Sequence, residues 1–243
     1  MIDIHCHILP GIDDGANNLN ESLSMLAMQQ DSGVKRMCLT PHFYPETKSM
    51  DTFLAEREKA WNELSASLDK SQDLQIRLGT EISYSQELLS LDLRKLTLGE
   101  SDYLLLEFPW RYPAYAAQIM QRMLDEGFIP ILAHVERYPY FRQEPNLLKQ
   151  LIDIGALAQV SAQSLFDKRD KRFALACLNH NLAHIVASDA HNTVDRKPCM
   201  ELLNRLPEKL KELHDIFSTA IWENELPTYI RATTVNRSYL GYR

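Results

Sequence analysis

Two hydrophobic periods alternate along this chain. Short apolar runs of strand length fall near 2–5, 35–40, 74–80, 103–107, 129–134, 157–161 and 183–188, and longer helical segments lie between and after them, near 20–32, 50–70, 85–95, 114–126, 144–154, 168–180 and 198–218. One phrase recurs with variations, as DSGVKRMCLTPH, DEGFIPILAH and DIGALAQVSA. In each, a helical segment ends at a glycine (Gly33, Gly127, Gly155) and an apolar run follows at once. Glycine stops a helix there because it enters the left-handed conformation without a side-chain clash. Alternation of this kind predicts parallel strands joined by right-handed crossovers. No G-x-G-x-x-G or P-loop pattern follows any strand, which counts against a nucleotide-binding open sheet and favours a barrel of seven strand–helix units.

Composition narrows the class. A length of 243 residues suits one α/β barrel domain over 1–243, with 227–243 (PTYIRATTVNRSYLGYR) reading as a polar C-terminal tail. Hydrophobic residues at 45% and charged residues at 24% give ample material for a core and exclude a disordered chain. The formal charge of -7 works against broad binding to nucleic acid or anionic membranes, so a small or peptide substrate fits better. The start lacks the basic segment and long apolar run of a secretion signal, and no stretch approaches the ~18 apolar residues of a membrane span. A cytoplasmic protein without membrane insertion is expected. Cys6, Cys38, Cys177 and Cys199 have no paired spacing, so no disulfide is expected.

The chemistry lies at the strand ends. The first strand runs into His5 and His7, the second into His42, the third into Glu81, the fourth into Glu107, the fifth into His134, and the seventh into Asp189 and His191. The carboxyl edge of a parallel sheet or barrel is where active sites are built, so residues distant in sequence should meet at one mouth. His5 and His7, two apart on a strand, point together, while Cys6 points away into the packing. Imidazole nitrogen with carboxylate oxygen suits zinc, manganese or iron, and the number of such groups implies two or three ions.

Blander readings are set against this. His180, His184 and His214 read as surface or satisfied helix-end residues. A buried glutamate such as Glu107 in LLLEF needs a cation or hydrogen bonds, because an unpaired buried charge is costly. A salt bridge to arginine explains one such case and explains eight poorly. Cys199 and Arg205 form a C-x5-R spacing, CMELLNR, like that of thiol phosphatases. Its intervening residues contain no glycine for a phosphate cradle and read as helix interior.

These motifs together, DIHCHILPGIDDG at the start, TPH at 40–42, HVERY at 134–138 and SDAH at 188–191, resemble the polymerase and histidinol phosphatase (PHP) superfamily. The closer similarity is to its bacterial branch of metal-dependent tyrosine-protein phosphatases from capsule and exopolysaccharide loci, and it spans nearly the whole chain. The resemblance implies a distorted (β/α)7 TIM-like barrel with a trinuclear metal site, manganese being the expected metal and zinc or iron the alternatives. It implies one ion on His5, His7, Glu81 and Asp189, a second on Glu81, Glu107 and His134, and a third on Asp14, His42 and His191. Spacing alone does not choose between Asp13 and Asp14; the family pattern selects Asp14 and leaves Asp13 to cap the following turn. Arg137 and Arg196 match positions where the family places arginines near the phosphate, which a guanidinium grips through two oxygens. Arg111 is a weaker candidate for the same role.

The implied reaction is direct hydrolysis of phosphotyrosine by a metal-bridged hydroxide, since cation binding lowers the pKa of water from 15.7 to about 7. The implied partner is a phosphotyrosine protein, a bacterial tyrosine autokinase that governs polysaccharide synthesis. Phe43, Tyr44, Trp110, Tyr112 and Tyr138 stand in loops where an aryl ring could be received, or else pack the core. The alternative within the same chemistry is a small-molecule phosphomonoesterase such as histidinol-phosphate phosphatase. An amidohydrolase-like enzyme is a poorer fit, since no lysine lies at a strand end. A non-enzymatic barrel is a poorer fit too, because the set of ligand-type residues is full.

Overall fold

Each of the three predicted helix-stopping glycines closes its helix by the same pair of hydrogen bonds, and this sets where the next strand begins. Gly33 N donates to Gln30 O and Val34 N to Gln29 O; Gly127 and Phe128 donate to Leu124 and Met123; Gly155 and Ala156 donate to Ile152 and Leu151. The glycines have φ of 85°, 86° and 114°, the left-handed region in which a side chain is strained. In the computed structural model, which describes residues 1–68 and 73–226, the strands are β1 (Ile2–Cys6), β2 (Arg36–Leu39), β3 (His42–Phe43), β4 (Gln75–Leu78), β5 (Glu81–Ser83), β6 (Tyr103–Glu107), β7 (Ile129–Leu132), β8 (Leu157–Ser161) and β9 (Ile185–Ala187). The helices are α1 (Leu19–Asp31), α2 (Met50–Ser65), α3 (Ala116–Asp125), α4 (Pro139–Gln143), α5 (Pro145–Asp153), α6 (Lys171–Asn179) and α7 (Glu208–Glu223). The expected tail, 227–243, lies outside the described residues.

All ladders between these strands are parallel. The order is β1-β2-β4 in one sheet and β3-β5-β6-β7-β8-β9 in the other. Two predicted runs, 35–40 and 74–80, are each followed just beyond their ends by a further short strand, which is why seven runs become nine strands. Thr40-Pro41 separates β2 from β3, and Gly79-Thr80 separates β4 from β5. Proline lacks the N–H that a ladder needs. Hydrogen bonds from Gly79 N to Leu39 O (2.8 Å) and from Glu81 N to Pro41 O (3.1 Å) carry the pairing across the breaks. The first and last strands also meet: Cys6 bridges Ala190 in parallel, Asp189 N donates to His5 O, and His7 N donates to Ala190 O.

Strands β1, β8 and β9 are buried along their whole length, as expected where helices cover a parallel sheet. One apolar core runs from Ile2 to Trp222, and each fully buried Leu, Ile or Phe in it contributes about 1.5–3 kcal/mol. Cys6 belongs to this core, its Sγ donating to Cys38 O at 3.4 Å, as its outward direction predicts.

Two helical expectations are corrected. Residues 85–95 form 3-10 turns at Leu88–Ser90 and Leu93–Leu96 in place of one helix, with Leu91 extended between them. Ser85 Oγ takes the N–H of Glu87, and Ser90 Oγ donates to Glu87 O, so side chains compete with the helical ladder. The expected helix 198–218 divides into a 3-10 turn, Met200–Arg205, and α7. Pro207 is the cause, since the residue before a proline is pushed to extended backbone, and Leu206 has ψ 154°.

Candidate metal centre

The residues that end the strands converge. His5 Nε2 and His7 Nε2 stand 3.1 Å apart, and each lies 3.1 Å from Glu81 Oε2. Asp189 Oδ1 lies 3.4 Å from His5 Nε2 and 3.7 Å from His7 Nε2. Donor atoms of His5, His7, Glu81 and Asp189 therefore surround one point within 4.8 Å of one another. A second compact group is His42, Glu81 and Glu107, and a third is His7, Asp14, His42 and His191. His134 borders the second group, with Nε2 at 2.9 Å from Glu81 Oε1 and 3.9 Å from Glu107 Oε1. All nine residues singled out in the sequence as ligands are brought to this one place. The grouping differs from the implied one in two details: His42, where His134 is implied, stands in the compact group with Glu81 and Glu107, and His7 also joins the group of Asp14.

Hydrogen bonds on the far side of three rings aim them. Asp13 Oδ2 lies 2.7 Å from His7 Nδ1, Gln159 Oε1 lies 3.2 Å from His5 Nδ1, and the Asp189 carbonyl lies 3.0 Å from His191 Nδ1. An acceptor at Nδ1 selects the tautomer protonated there and leaves the Nε2 lone pair directed into the cluster. Gln159 Oε1 also accepts the His134 N–H at 2.9 Å, which fixes its oxygen in this position. His134 and Asp189 both have left-handed backbone, with φ of 34° and 51°. Non-glycine residues in that region store strain that the surroundings must hold in place.

Electrostatics divide the carboxylates. Burial opposes ionisation of Glu81, but the neighbouring His5, His42 and His134 outweigh it and hold the carboxyl well below its usual range. Burial likewise opposes the charge of Asp189, and Arg137, His5, His134 and Arg196 hold its carboxyl well below the ordinary value. Glu107 goes the other way: burial, then the charge of Glu81, push it up to about 7. Burial also lowers His42 to about 4.

The donor set fits divalent ions. Buried His42 Nδ1 and His191 Nε2, which face the cluster, make no hydrogen bond, which is costly for imidazole nitrogen unless it donates its lone pair elsewhere. Crowded carboxylates, one of them driven towards protonation, call for positive charge between them. Mixed imidazole and carboxylate donors suit zinc, manganese or iron.

Several supporting residues carry no signal that spacing could read. Asp13, expected only to cap the turn, does accept from Gly15 N at 3.0 Å, and it also accepts from His42 N at 2.9 Å while holding His7. Burial opposes its ionisation, and His7 with the two backbone N–H groups outweighs burial and lowers its pKa. Asp14, by contrast, is 63% exposed at its side chain and lies 3.4 Å from both His42 and His191. The sixth predicted strand ends in no ligand-type residue, yet its strand β8 supplies Gln159. Asp3, buried on β1, accepts from Ser188 N and Oγ and from Gln29 Nε2, tying the segment before Asp189 to the first strand. An aspartate or glutamine inside an apolar run was the available sign for both.

Arg137 and Arg196 stand at the rim. Arg137 Nη2 donates to Asp189 and to Ser161 Oγ, and Arg196 Nη2 lies 2.9 Å from both Asp189 oxygens. Both guanidinium groups are partly exposed. Arg111 is exposed in the loop after β6. Of the loop aromatics, Phe43 and Tyr138 are core residues and Tyr112 is half-buried; Tyr44 and Trp110 are exposed. Tyr44 stacks on His42 at 5.3 Å between ring centroids.

The thiol alternative has no support. Cys199 is buried and its thiol is pushed up to about 12 by burial, and a 3-10 turn follows it where a phosphate cradle would be needed. His184 and His214 stay outside the cluster, but the expectation of surface or helix-end positions is corrected: both are buried and accept backbone N–H groups, from Ala158 and Val186. No helix among the described residues is long and apolar enough to cross a membrane.

A family model described as capsular polysaccharide synthesis, CpsB/CapC, matches residues 1–224. The tyrosine-protein phosphatase YwqE of Bacillus subtilis (strain 168) is 39% identical over 204 residues, covering 81% of this chain and 79% of its own. The putative tyrosine-protein phosphatase CapC of Staphylococcus aureus is 34% identical over 238 residues, covering 95% and 89%. Among solved structures, a chain from the study of YwqE from Bacillus subtilis and CpsB from Streptococcus pneumoniae, described as metal-dependent tyrosine phosphatases, superposes with a TM-score of 0.85. It is 31% identical, covering 98% of this chain and 100% of that one. Histidinol phosphate phosphatase from Lactococcus lactis, solved with zinc, L-histidinol and phosphate, matches at a TM-score of 0.54 and 13% identity over 87% and 93% of the two chains, a likeness of fold alone. With a match that runs from the first residue through the end of α7, the chain belongs to the CpsB/CapC family of capsular polysaccharide synthesis.

Proposed function

We propose that this chain is a metal-dependent protein-tyrosine phosphatase that hydrolyses phosphotyrosine on a bacterial tyrosine kinase governing capsule or exopolysaccharide synthesis. The observation that carries this reading is the meeting of His5, His7, Glu81 and Asp189 around one point, with His Nε2 atoms aimed inward and two arginines at the rim. In this reading the strands form a distorted (β/α)7 barrel of the PHP type, one domain over 1–243, acting in the cytoplasm.

His5, His7, Glu81 and Asp189 would hold one ion, Glu81 with Glu107 and His134 a second, and Asp14, His42 and His191 a third. Manganese is the favoured metal, with zinc or iron as alternatives. When bound, divalent ions supply Lewis acidity and lower the pKa of a water towards neutrality. Arg137 and Arg196 grip the phosphoryl oxygens and offset charge as it develops. Exposed Tyr44 and Trp110 flank the opening, where an aryl ring packs. The phenolate that leaves has a conjugate-acid pKa of about 10, so it needs less protonation than an alkoxide.

The test is hydrolysis of a phosphotyrosine peptide and of histidinol phosphate by the purified protein, with metal content measured before and after chelation. Turnover of the peptide is expected, lost on chelation and in the His5→Ala/His7→Ala variant. A clear preference for histidinol phosphate would replace the assignment with a small-molecule phosphatase, and activity that survives both treatments would refute the metal mechanism.

A further inference from the structure

Beside the cluster lies a cavity of about 290 Å3, lined by Trp110, Arg137, Pro139, Arg142, Arg169 and Asp170. Arg137 is a wall of both sites, since the same side chain that lines this cavity bonds Asp189 and Ser161. The remaining charges of the cavity are unequally matched. Arg142 is turned inward: Nη2 donates to the Glu136 carbonyl at 2.8 Å and to Asp170 Oδ1 at 2.6 Å, and Nη1 donates to the Arg169 carbonyl at 3.2 Å. The one carboxylate in the lining is thereby neutralised by Arg142. Arg169 Nε and Nη2 each donate to Oδ2 of the same carboxylate at 3.4 Å, and its side chain is 83% exposed. Its backbone is fixed, however, because Arg169 N donates to Asp167 Oδ1 at 2.7 Å. The rim thus carries an exposed guanidinium that shares its one carboxylate with Arg142, in a chain whose formal charge is -7.

The same lining includes Trp110, 73% exposed. Its ring meets Tyr138 edge-on at 6.5 Å, and Tyr138 lies 5.7 Å from His134. An aromatic row therefore leads from the cavity to the metal centre. Exposed tryptophan together with arginine is the combination that dominates recognition surfaces. The two sites share a wall, so successive residues of an extended peptide, spaced at about 3.3 Å, can occupy both.

We propose that this cavity is a peptide subsite that receives an acidic side chain flanking the substrate phosphotyrosine, read by Arg169 and packed against Trp110. The inference rests on the phosphatase reading of the adjoining centre and adds a sequence preference to it. A guanidinium pairs with a carboxylate through two parallel hydrogen bonds, and a neutral amide of the same shape lacks the charge.

The experiment compares three substrates, p-nitrophenyl phosphate, a phosphotyrosine peptide flanked by glutamate, and the same peptide flanked by glutamine. It uses the metal-loaded wild type, Arg169→Glu and Arg169→Lys, with thermal melting to verify folding. The wild type is expected to favour the glutamate peptide by up to about fivefold in kcat/KM, the upper end of what an exposed charge pair supports. Arg169→Glu abolishes or inverts that preference, Arg169→Lys keeps most of it, and all three turn over p-nitrophenyl phosphate equally. Equal use of the two peptides by the wild type, or a preference that survives Arg169→Glu, overturns the subsite. If no substrate is hydrolysed, the phosphatase reading fails separately, and fluorescence anisotropy of the two labelled peptides decides the subsite. Tighter binding of the glutamate peptide that Arg169→Glu removes supports it, and indifference refutes it.

Discussion

The carboxylate of Asp13 accepts from His7 Nδ1 at 2.7 Å and from the backbone N–H of His42 at 2.9 Å, so one side chain orients a proposed ligand and fixes the backbone of another. Its neighbour Asp14 faces the cluster from an exposed position. The two adjacent aspartates therefore divide the work, one orienting and one facing the site. Outer partners of this kind are worth about 10–100-fold in metal affinity. Asp13→Asn should weaken manganese or zinc binding by that factor in calorimetric titration while the fold melts cooperatively. Affinity equal to wild type would mean that His7 needs no such partner.

Gln159 serves two histidines from one oxygen. Gln159→Leu removes the acceptor of the buried His134 N–H and of His5 Nδ1. A buried donor left without its partner costs about 1–3 kcal/mol, so urea unfolding of the variant should show a loss of this size. A stability change near zero would show that water or a local shift replaces the amide.

Acid should destabilise the protein through two histidines remote from the chemistry. Burial lowers His184 and His214 to about 4, from an ordinary value of 6.5. The folded pKa is the depressed one, so between about pH 6.5 and 4 the unfolded chain binds protons that the folded chain refuses. Stability is therefore full above pH 6.5 and falls as pH drops through this window, by at most about 3 kcal/mol per histidine. The slope of urea midpoint against pH over this range should flatten in His184→Gln/His214→Gln. An unaltered slope would assign the acid sensitivity to other groups.

Cys199→Ser should leave phosphatase activity within about twofold of wild type, because a thiol pushed up to about 12 by burial offers no thiolate near neutral pH. Chelation of the same variant should abolish turnover. Loss of activity in Cys199→Ser at full metal content would reverse this assignment.

The convergence at the strand ends was legible because parallel topology and a period of two leave little choice. Once apolar runs alternate with helices stopped at Gly33, Gly127 and Gly155, the residues that end each run must share an edge. The breaks at Thr40-Pro41 and Gly79-Thr80 were harder to see. Each is short enough to be bridged by one hydrogen bond between neighbouring strands, and a bond of that kind leaves no periodic trace. The helix over 198–218 fails at Pro207, which does carry a local signal, while the 85–95 segment fails through serine side chains that compete with the backbone.

The sequence by itself determined the alternation of strand and helix, the edge on which the ionisable residues lie, and the pairing of His5 with His7 on one face. These follow from local backbone geometry, which every residue carries with it. Only the tertiary structure decided that Asp13 holds His7 while Asp14 faces the cluster from an exposed position, that Gln159 holds His5 and His134, and that Arg169 shares Asp170 with Arg142. Each of these depends on which polar atom reaches a partner from another strand or loop, and that distance is set by the packing of the whole core.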